Sequence, residues 1–188
     1  QLFEPAGLPK GLVIALHGQL AIRKGQYRRA ARQLDAAILG LETLSSPAYN
    51  NSLAYMALMR AQLRGEQGYF AAAAHDFDHA ERLLEGKNVP LYASILTQKA
   101  GVALWAEDYI KAREYAAEGL HHGDRAGARY YAMLSRALDA AARGHMDGHE
   151  DALAELERCL RWSTHAQSGY TLSILHSWAA ELALRVGD

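Results

Sequence analysis

Cysteine is almost absent from this 188-residue chain: Cys159 is the only one, so no disulfide can close within it and a disulfide-stapled fold is excluded. A reducing, cytoplasmic setting is expected. Long apolar runs are lacking too. None approaches the roughly 18 residues that a membrane-spanning helix needs, and the longest, near Gly11 to Leu16, follows no signal-peptide pattern. No membrane partner is expected. Charge of one sign is missing, with Lys+Arg at 20 against Asp+Glu at 21, so the chain has neither a phosphate-neutralising basic excess nor an acidic tail. Nucleic acid is therefore not an expected partner through this region. Valine, threonine and proline are scarce, which disfavours strands and leaves few helix breakers, while alanine and leucine abound and favour helix through their low rotamer cost. The chain opens at Gln1 rather than at a methionine, which fits a piece of something longer.

Catalytic signatures are also absent. There is no GxGxxG, no Walker lysine loop, no GxSxG elbow, no HExxH and no pair of cysteines. Neither enzymatic activity nor a cofactor is expected.

What is present is a recurring motif. Gly25-x-Tyr27-x-x-Ala30-x-x-x-Leu34-x-x-Ala37 returns as Gly68-x-Phe70-x-x-Ala73-x-x-x-Phe77-x-x-Ala80, and weaker copies follow as Tyr109, Ala112, Ala116, Gly119 and His149, Ala152, Leu156, Cys159. The first alanine steps along the chain by 43, 39 and 40 positions, the signature of a repeat architecture. Punctuation divides the chain into about nine helices near 10–24, 27–44, 48–65, 69–86, 91–106, 109–122, 125–143, 149–164 and 168–186. Ser46 before Pro47 reads as a capped helix start, and Asn88 with Pro90 as another. Gly86 reads as a left-handed helix terminator, while Gly25, Gly65, Gly68, Gly144, Gly148 and Gly187 read as sharp turns between helices.

Alignment by the repeat yields further columns. The first helix of each pair carries a small residue (Gly18, Ala61, Ala100, Ala140, Ala180) and, two places later, an apolar one (Leu20, Leu63, Val102, Ala142, Leu182). Leu16, Met59, Leu138 and Trp178 complete that face one turn upstream. In the second helices, small, large and small residues at i, i+4 and i+7 share a face, so an aromatic or leucine knob can fill the gap between neighbouring hairpins. The expected fold is all-α: a right-handed solenoid of antiparallel helix pairs. A lead-in at 1–9 precedes one repeat domain at 10–188, with units near 11–44, 54–86, 93–122 and 133–164 and a final helix at 168–186.

These residues resemble the tetratricopeptide repeat: a small residue, then Gly-x-aromatic-x-x-Ala at the turn, then a large residue four later and alanine three beyond. The likeness covers nearly the whole chain. It departs from the family where the first-helix leucine column reads His17, Arg60, Lys99, Asp139 and Ala179, and where Glu107 replaces the turn glycine. The spacing exceeds the ~34 residues of that repeat and is similar to the long helical-hairpin arrays of MalT-type transcription activators. The resemblance implies a concave groove, lined by the first helices, that receives a protein or peptide segment. Carried over by register, the groove positions are Leu12, Ala15, Gln19 and Arg23, then Tyr55, Leu58, Gln62 and Glu66, then Ser94, Thr97, Gly101 and Trp105. Of these, Gln19, Arg23, Tyr55, Gln62, Glu66, Thr97 and Trp105 offer the amide, charge and aromatic groups that anchor short ligands. The alternative use of Tyr55 and Trp105 is to plug gaps between hairpins.

Other clusters point less far. His75 and His79 lie one helical turn apart, one ligand short of a divalent-metal site, and both are expected on the solvent side of the Phe77 knob. His145, Asp147, His149 and Glu150 repeat the theme without a completing histidine, and His121, His122 and Asp124 suit a helix C-terminus. No metal is expected. Arg23, Lys24, Arg28, Arg29 and Arg32 form a basic stretch that reads as a solvated helix face. Cys159 stands in the small column with Ala37, Ala80 and Gly119, so a buried small residue is expected there and not a nucleophile.

The expected function is a non-enzymatic protein- or peptide-binding module within a larger cytoplasmic regulator. An effector- or signal-peptide-sensing domain of a bacterial transcriptional regulator is the alternative, in which the ligand shifts the tilt of adjacent hairpins. Trp178, Leu182 and Leu184 on the last helix additionally suggest self-association.

Overall fold

A computed structural model describes residues 10–146, 149–165 and 169–186, and these are helical with no strand among them. The elements are α1 (Lys10–Arg23), α2 (Tyr27–Glu42), a 3-10 turn (Pro47–Tyr49), α3 (Asn50–Glu66), α4 (Phe70–Leu84), α5 (Val89–Trp105), α6 (Tyr109–Arg125), α7 (Arg129–Met146), α8 (His149–His165) and α9 (Gly169–Val186). Most boundaries fall within two residues of those expected from sequence. The largest difference is between α6 and α7: the helix runs on through Gly123 to Arg125, and the turn follows at Gly127, whose φ is +64°. Glycine suits position 123 because α7 comes so close that a Cβ there would stand 2.9 Å from the Ala132 amide nitrogen. His122 accordingly stands in the last turn of α6, as expected, with His121 just before it, and the His122 carbonyl accepts from the Ala126 amide.

Two compact units make up the chain, Gln1–Asn88 and Val89–Asp188. In the first, α1 packs on α2, α3 on α4, α2 on α3 and α1 on α3. In the second, α5 packs on α6 and α7 on α8, while α6 meets α7, α8 meets α9, and the first helices α5, α7 and α9 touch in succession. Short loops force each consecutive pair to run antiparallel. One packing rule thus recurs inside each unit: a hairpin closes on itself, its second helix covers the next first helix, and first helices adjoin.

The second-helix motif supplies the cores. Ala30, Leu34 and Ala37 on α2, Ala73, Phe77 and Ala80 on α4, Ala112, Ala116 and Gly119 on α6, and Ala152, Leu156 and Cys159 on α8 are all buried. The alanines let backbones approach, and each large residue fills the hole left between them. Burying such a side chain contributes about 1.5–3 kcal/mol. The first-helix columns behave alike until the ends of the chain. Leu63, Leu138 and Leu182 are buried, but Leu16 and Leu20 are 56% and 54% exposed, because no described helix precedes α1 to cover them. Ala180 is exposed for the mirror-image reason, since no described helix follows α9. On α9, Leu182 is buried, Trp178 is half-buried against the same core, and Leu184 stands in solvent.

The turns also repeat. Gly25, Gly68 and Gly127 have positive φ, and after each the next amide donates to the carbonyl five residues back: Gln26 to Ala21, Tyr69 to Arg64 and Ala128 to Gly123. The same bond runs from Asp108 to Ala103, with Glu107 held at φ +59° in the glycine position. A side chain in that left-handed region costs about 1 kcal/mol or more. Glu107→Gly is therefore expected to stabilise the second unit by about 0.5–1 kcal/mol, read as a higher urea midpoint at unchanged slope. An unchanged or lower midpoint would show that Glu107 bears no strain.

Three sequence expectations change in the structure. Gly65 and Gly144 are not turns but buried helical positions, and a Cβ on Gly144 would lie 2.5 Å from the Leu182 side chain. Gly148 and Gly187 lie outside the described residues. Ser46 makes no side-chain capping bond. Pro47 instead opens the 3-10 turn, and α3 begins at Asn50.

The polar first-helix column has a structural explanation. Arg60 grips Asp76 of α4 with a two-pronged contact (Nε to Oδ2 3.0 Å, Nη2 to Oδ1 2.8 Å) and reaches Asp35 of α2 at 2.8 Å. Arg64 adds a third donor to Asp76 at 2.8 Å. Burial opposes the charge of Arg60, but the bonds to Asp76 and Asp35 outweigh it and hold the guanidinium more firmly protonated than usual. Lys99 in the same column lies 5.3 Å above the Tyr115 ring, and Asp139 accepts from Arg113 (3.1 Å) and Arg143 (2.9 Å). Each charge on this column is matched by a neighbouring helix or by its own next turn.

Candidate functional site

Helix α3 buries Leu53, Ala54, Met56, Ala57, Leu58, Ala61, Leu63 and Gly65 and leaves one stripe partly open. Tyr55, Met59, Gln62 and Glu66 follow at i, i+4, i+7 and i+11 and form one stripe. Tyr55 is 38% exposed and the other three are half-buried. The Gln62 amide donates to Glu66 Oε1 at 3.1 Å, which pre-sets both side chains. Helix α1 adjoins α3 and at the same register carries Leu12, Leu16 and Gln19, of which Leu16 is exposed and the others half-buried. Three of the residues expected from sequence, Tyr55, Gln62 and Glu66, thus share one face, with Gln19 on the neighbouring helix. Arg23 ends α1, and its side chain is outside those described.

The remaining two expected residues belong to the second unit and are placed differently. Thr97 is interior: its hydroxyl donates to the Ala93 carbonyl at 2.8 Å and lies 2.9 Å from the Ser135 hydroxyl across α5 and α7. A Cβ on Gly119 would crowd both hydroxyls, so α5, α6 and α7 meet tightly there. The position three before the small column is interior in the first four aligned units, as Ala15, Leu58, Thr97 and Ala137, and exposed only at Ser177 on α9. Helix geometry accounts for this, because that position sits about 300° around from the small residue and on the same side. Ser94 and Gly101 are buried as well, and only Trp105, half-buried, keeps part of its surface open.

The histidine clusters resolve into packing. His75 is exposed as expected, whereas His79 is half-buried with Nε2 at 3.8 Å from Glu42 Oε1. Asp76 between them is fully buried and spent on Arg60 and Arg64, a role that sequence reading did not find. The signal available was its place directly before the knob, where Gln33, Asp76, Tyr115 and Glu155 form a polar column. His145 stacks on Tyr109 at 4.8 Å with Nε2 at 3.7 Å from Glu181 of α9, so it bridges α6, α7 and α9. Asp147 and the His149 side chain lie outside the described residues. Among the described residues, no three His, Cys, Asp or Glu side chains gather in a metal-binding arrangement, and no helix is long and apolar enough to cross a membrane. Lys24, Arg28, Arg29 and Arg32 are exposed. Cys159 is buried and burial pushes its thiol up to about 11, which leaves it protonated at neutral pH.

No family model matches the sequence, and no curated protein matches it either.

Proposed function

We propose that the chain is a tetratricopeptide-like, non-enzymatic binding module of a larger cytoplasmic regulator, and that it receives an extended protein or peptide segment along α1 and α3. The open stripe on α3 carries the reading. One stripe of α3 keeps part of its surface open, with an exposed tyrosine, a half-buried methionine and a half-buried, hydrogen-bonded Gln62–Glu66 pair, next to the exposed Leu16 of α1. Aromatic and methionine surface supplies adaptable apolar contact, and the amide and carboxylate offer partners to a peptide backbone.

The test is selection of peptides from a displayed random library on the native chain, followed by binding of the selected peptides to variants. Tyr55→Ala is expected to weaken them by about 2 kcal/mol, some thirtyfold, and Gln62→Ala by about tenfold, with little change in the unfolding midpoint. Peptides that bind both variants as they bind the parent would refute this face. So would a Tyr55→Ala chain that fails to fold, since Tyr55 would then be a packing residue.

A further inference from the structure

Away from that face, the second unit holds a cleft of about 330 Å³ between α7 and α8, at the last turn of α6. It is lined by one helical face from each side, at i, i+3, i+4 and i+7 in both cases: Arg129, Ala132, Met133 and Arg136 on α7, and Glu155, Arg158, Cys159 and Trp162 on α8. The floor is apolar and internally satisfied. Met133 and Cys159 are buried, the Cys159 thiol donates to the Met133 carbonyl at 3.7 Å, and the Ser163 hydroxyl rests against the Met133 sulfur at the same distance. Trp162 is half-buried and adds a flat aromatic wall. With its thiol protonated, Cys159 brings no negative charge to this floor.

The rim is charged and unbalanced. Arg158 is ion-paired with Glu155, and Arg136 stands 3.9 Å from Asp124 of α6, loosely enough to turn to another acceptor. Arg129 is exposed and has no ion-pair partner among the described residues. Three guanidiniums against two carboxylates leave one positive charge uncompensated beside an apolar floor. The volume lies at the lower end of the ~300–1,000 Å³ range of small-ligand pockets, the size of one aromatic side chain with its polar head.

We propose that this cleft binds a carboxylate borne on an aromatic or apolar body, with Arg129 and Arg136 holding the carboxylate and Met133 and Trp162 packing the body. Guanidinium groups meet carboxylates with paired, charge-assisted hydrogen bonds, and a single uncompensated charge suits a monoanion better than a phosphate dianion. The carboxylate can belong to a small acid or to the C-terminus of a peptide, and both present the same chemistry to the cleft.

The experiment titrates the full chain by calorimetry, with tryptophan fluorescence in parallel, using N-acetyl-phenylalanine, its neutral amide, and a tetrapeptide ending in phenylalanine with a free or an amidated terminus. At least one free acid is expected to bind, with its amide about tenfold weaker or more. Arg129→Gln and Arg136→Gln are each expected to weaken the acid about fivefold or more, and Arg82→Gln in the first unit to leave it unchanged. Binding by the amino acid alone identifies a small acid as the source, and binding by the tetrapeptide alone identifies a chain terminus. The proposal is overturned if acid and amide bind alike, if both cleft variants bind like the parent, or if neither acid binds at about 10 mM, well beyond the ~1 mM of a weak specific site. Because Tyr55 is untouched in every variant, failure here leaves the α1–α3 face standing, and failure there leaves this cleft standing.

Discussion

Asp76→Ala is expected to destabilise the first unit by about 3–5 kcal/mol, the cost of removing one partner from a buried ion pair. Asp76 is 0% exposed and receives three guanidinium contacts, two from Arg60 and one from Arg64. Its loss strands Arg60, only 15% exposed, with Asp35 as the remaining acid, and Asp35 is itself more than half in solvent. The neighbouring substitution gives the contrast. Asp35→Ala removes an exposed acid and should cost no more than about 1 kcal/mol. A double variant, Arg60→Met with Asp76→Ala, should lose less than the sum of the single losses, because it no longer leaves the tightest charge of the cluster unpaired. Urea denaturation of the parent, the three single variants Asp76→Ala, Asp35→Ala and Arg60→Met, and the double variant reads these losses. If Asp76→Ala and Asp35→Ala shift the midpoint equally, the buried position of Asp76 does not govern the strength of the cluster.

Phe77→Ala should cost a comparable ~3–5 kcal/mol for a different reason, the cavity left where the knob of α4 stood. Phe77 is almost wholly buried, and Ala73 and Ala80 on the same stripe are fully buried and too short to reach into the hole. The other repeats calibrate the position. Leu34 and Leu156 occupy it in α2 and α8 and are fully buried there. Phe77→Leu keeps a large apolar knob and should therefore cost only about 1–1.5 kcal/mol. The two losses, measured as denaturation midpoints, should differ by at least about twofold. Equal losses would mean that aromatic shape, and not volume, is what α4 requires.

The helices were legible because their signals are local. Alanine and leucine content, glycine at the turns and the forty-residue beat act within a few residues of one another, and they place nine described helices close to where they occur. The knob column was legible for the same reason: three residues on one helical stripe, copied four times, all proved buried. The largest boundary shifts lie around the α6–α7 turn, where α6 ends at Arg125 and α7 starts at Arg129. Gly144, read from sequence as a turn, is a helical contact point whose meaning depends on Leu182 of another helix.

The candidate site was legible only in part, and Ser94 shows why. Register assigns a side chain to an angle on its helix, but which angles stay open depends on where neighbouring helices lie. On α3 the stripe through Tyr55 and Gln62 is left open, whereas on α5 the corresponding Ser94 and Gly101 are covered. Asp76 tells the same story in reverse, because its helix position looks polar and solvated until Arg60 and Arg64 arrive from α3.

Sequence alone therefore determined the element type, the pairing of helices and the faces that must be apolar, since these follow from backbone propensity and from periodicity along one chain. Tertiary structure decided which charges were paired, which glycines were contacts, and that Arg129 and Arg136 stand over a floor of Met133 and Cys159. Those outcomes rest on distances between residues tens of positions apart, and such distances are set by how helices close on one another and not by any local pattern.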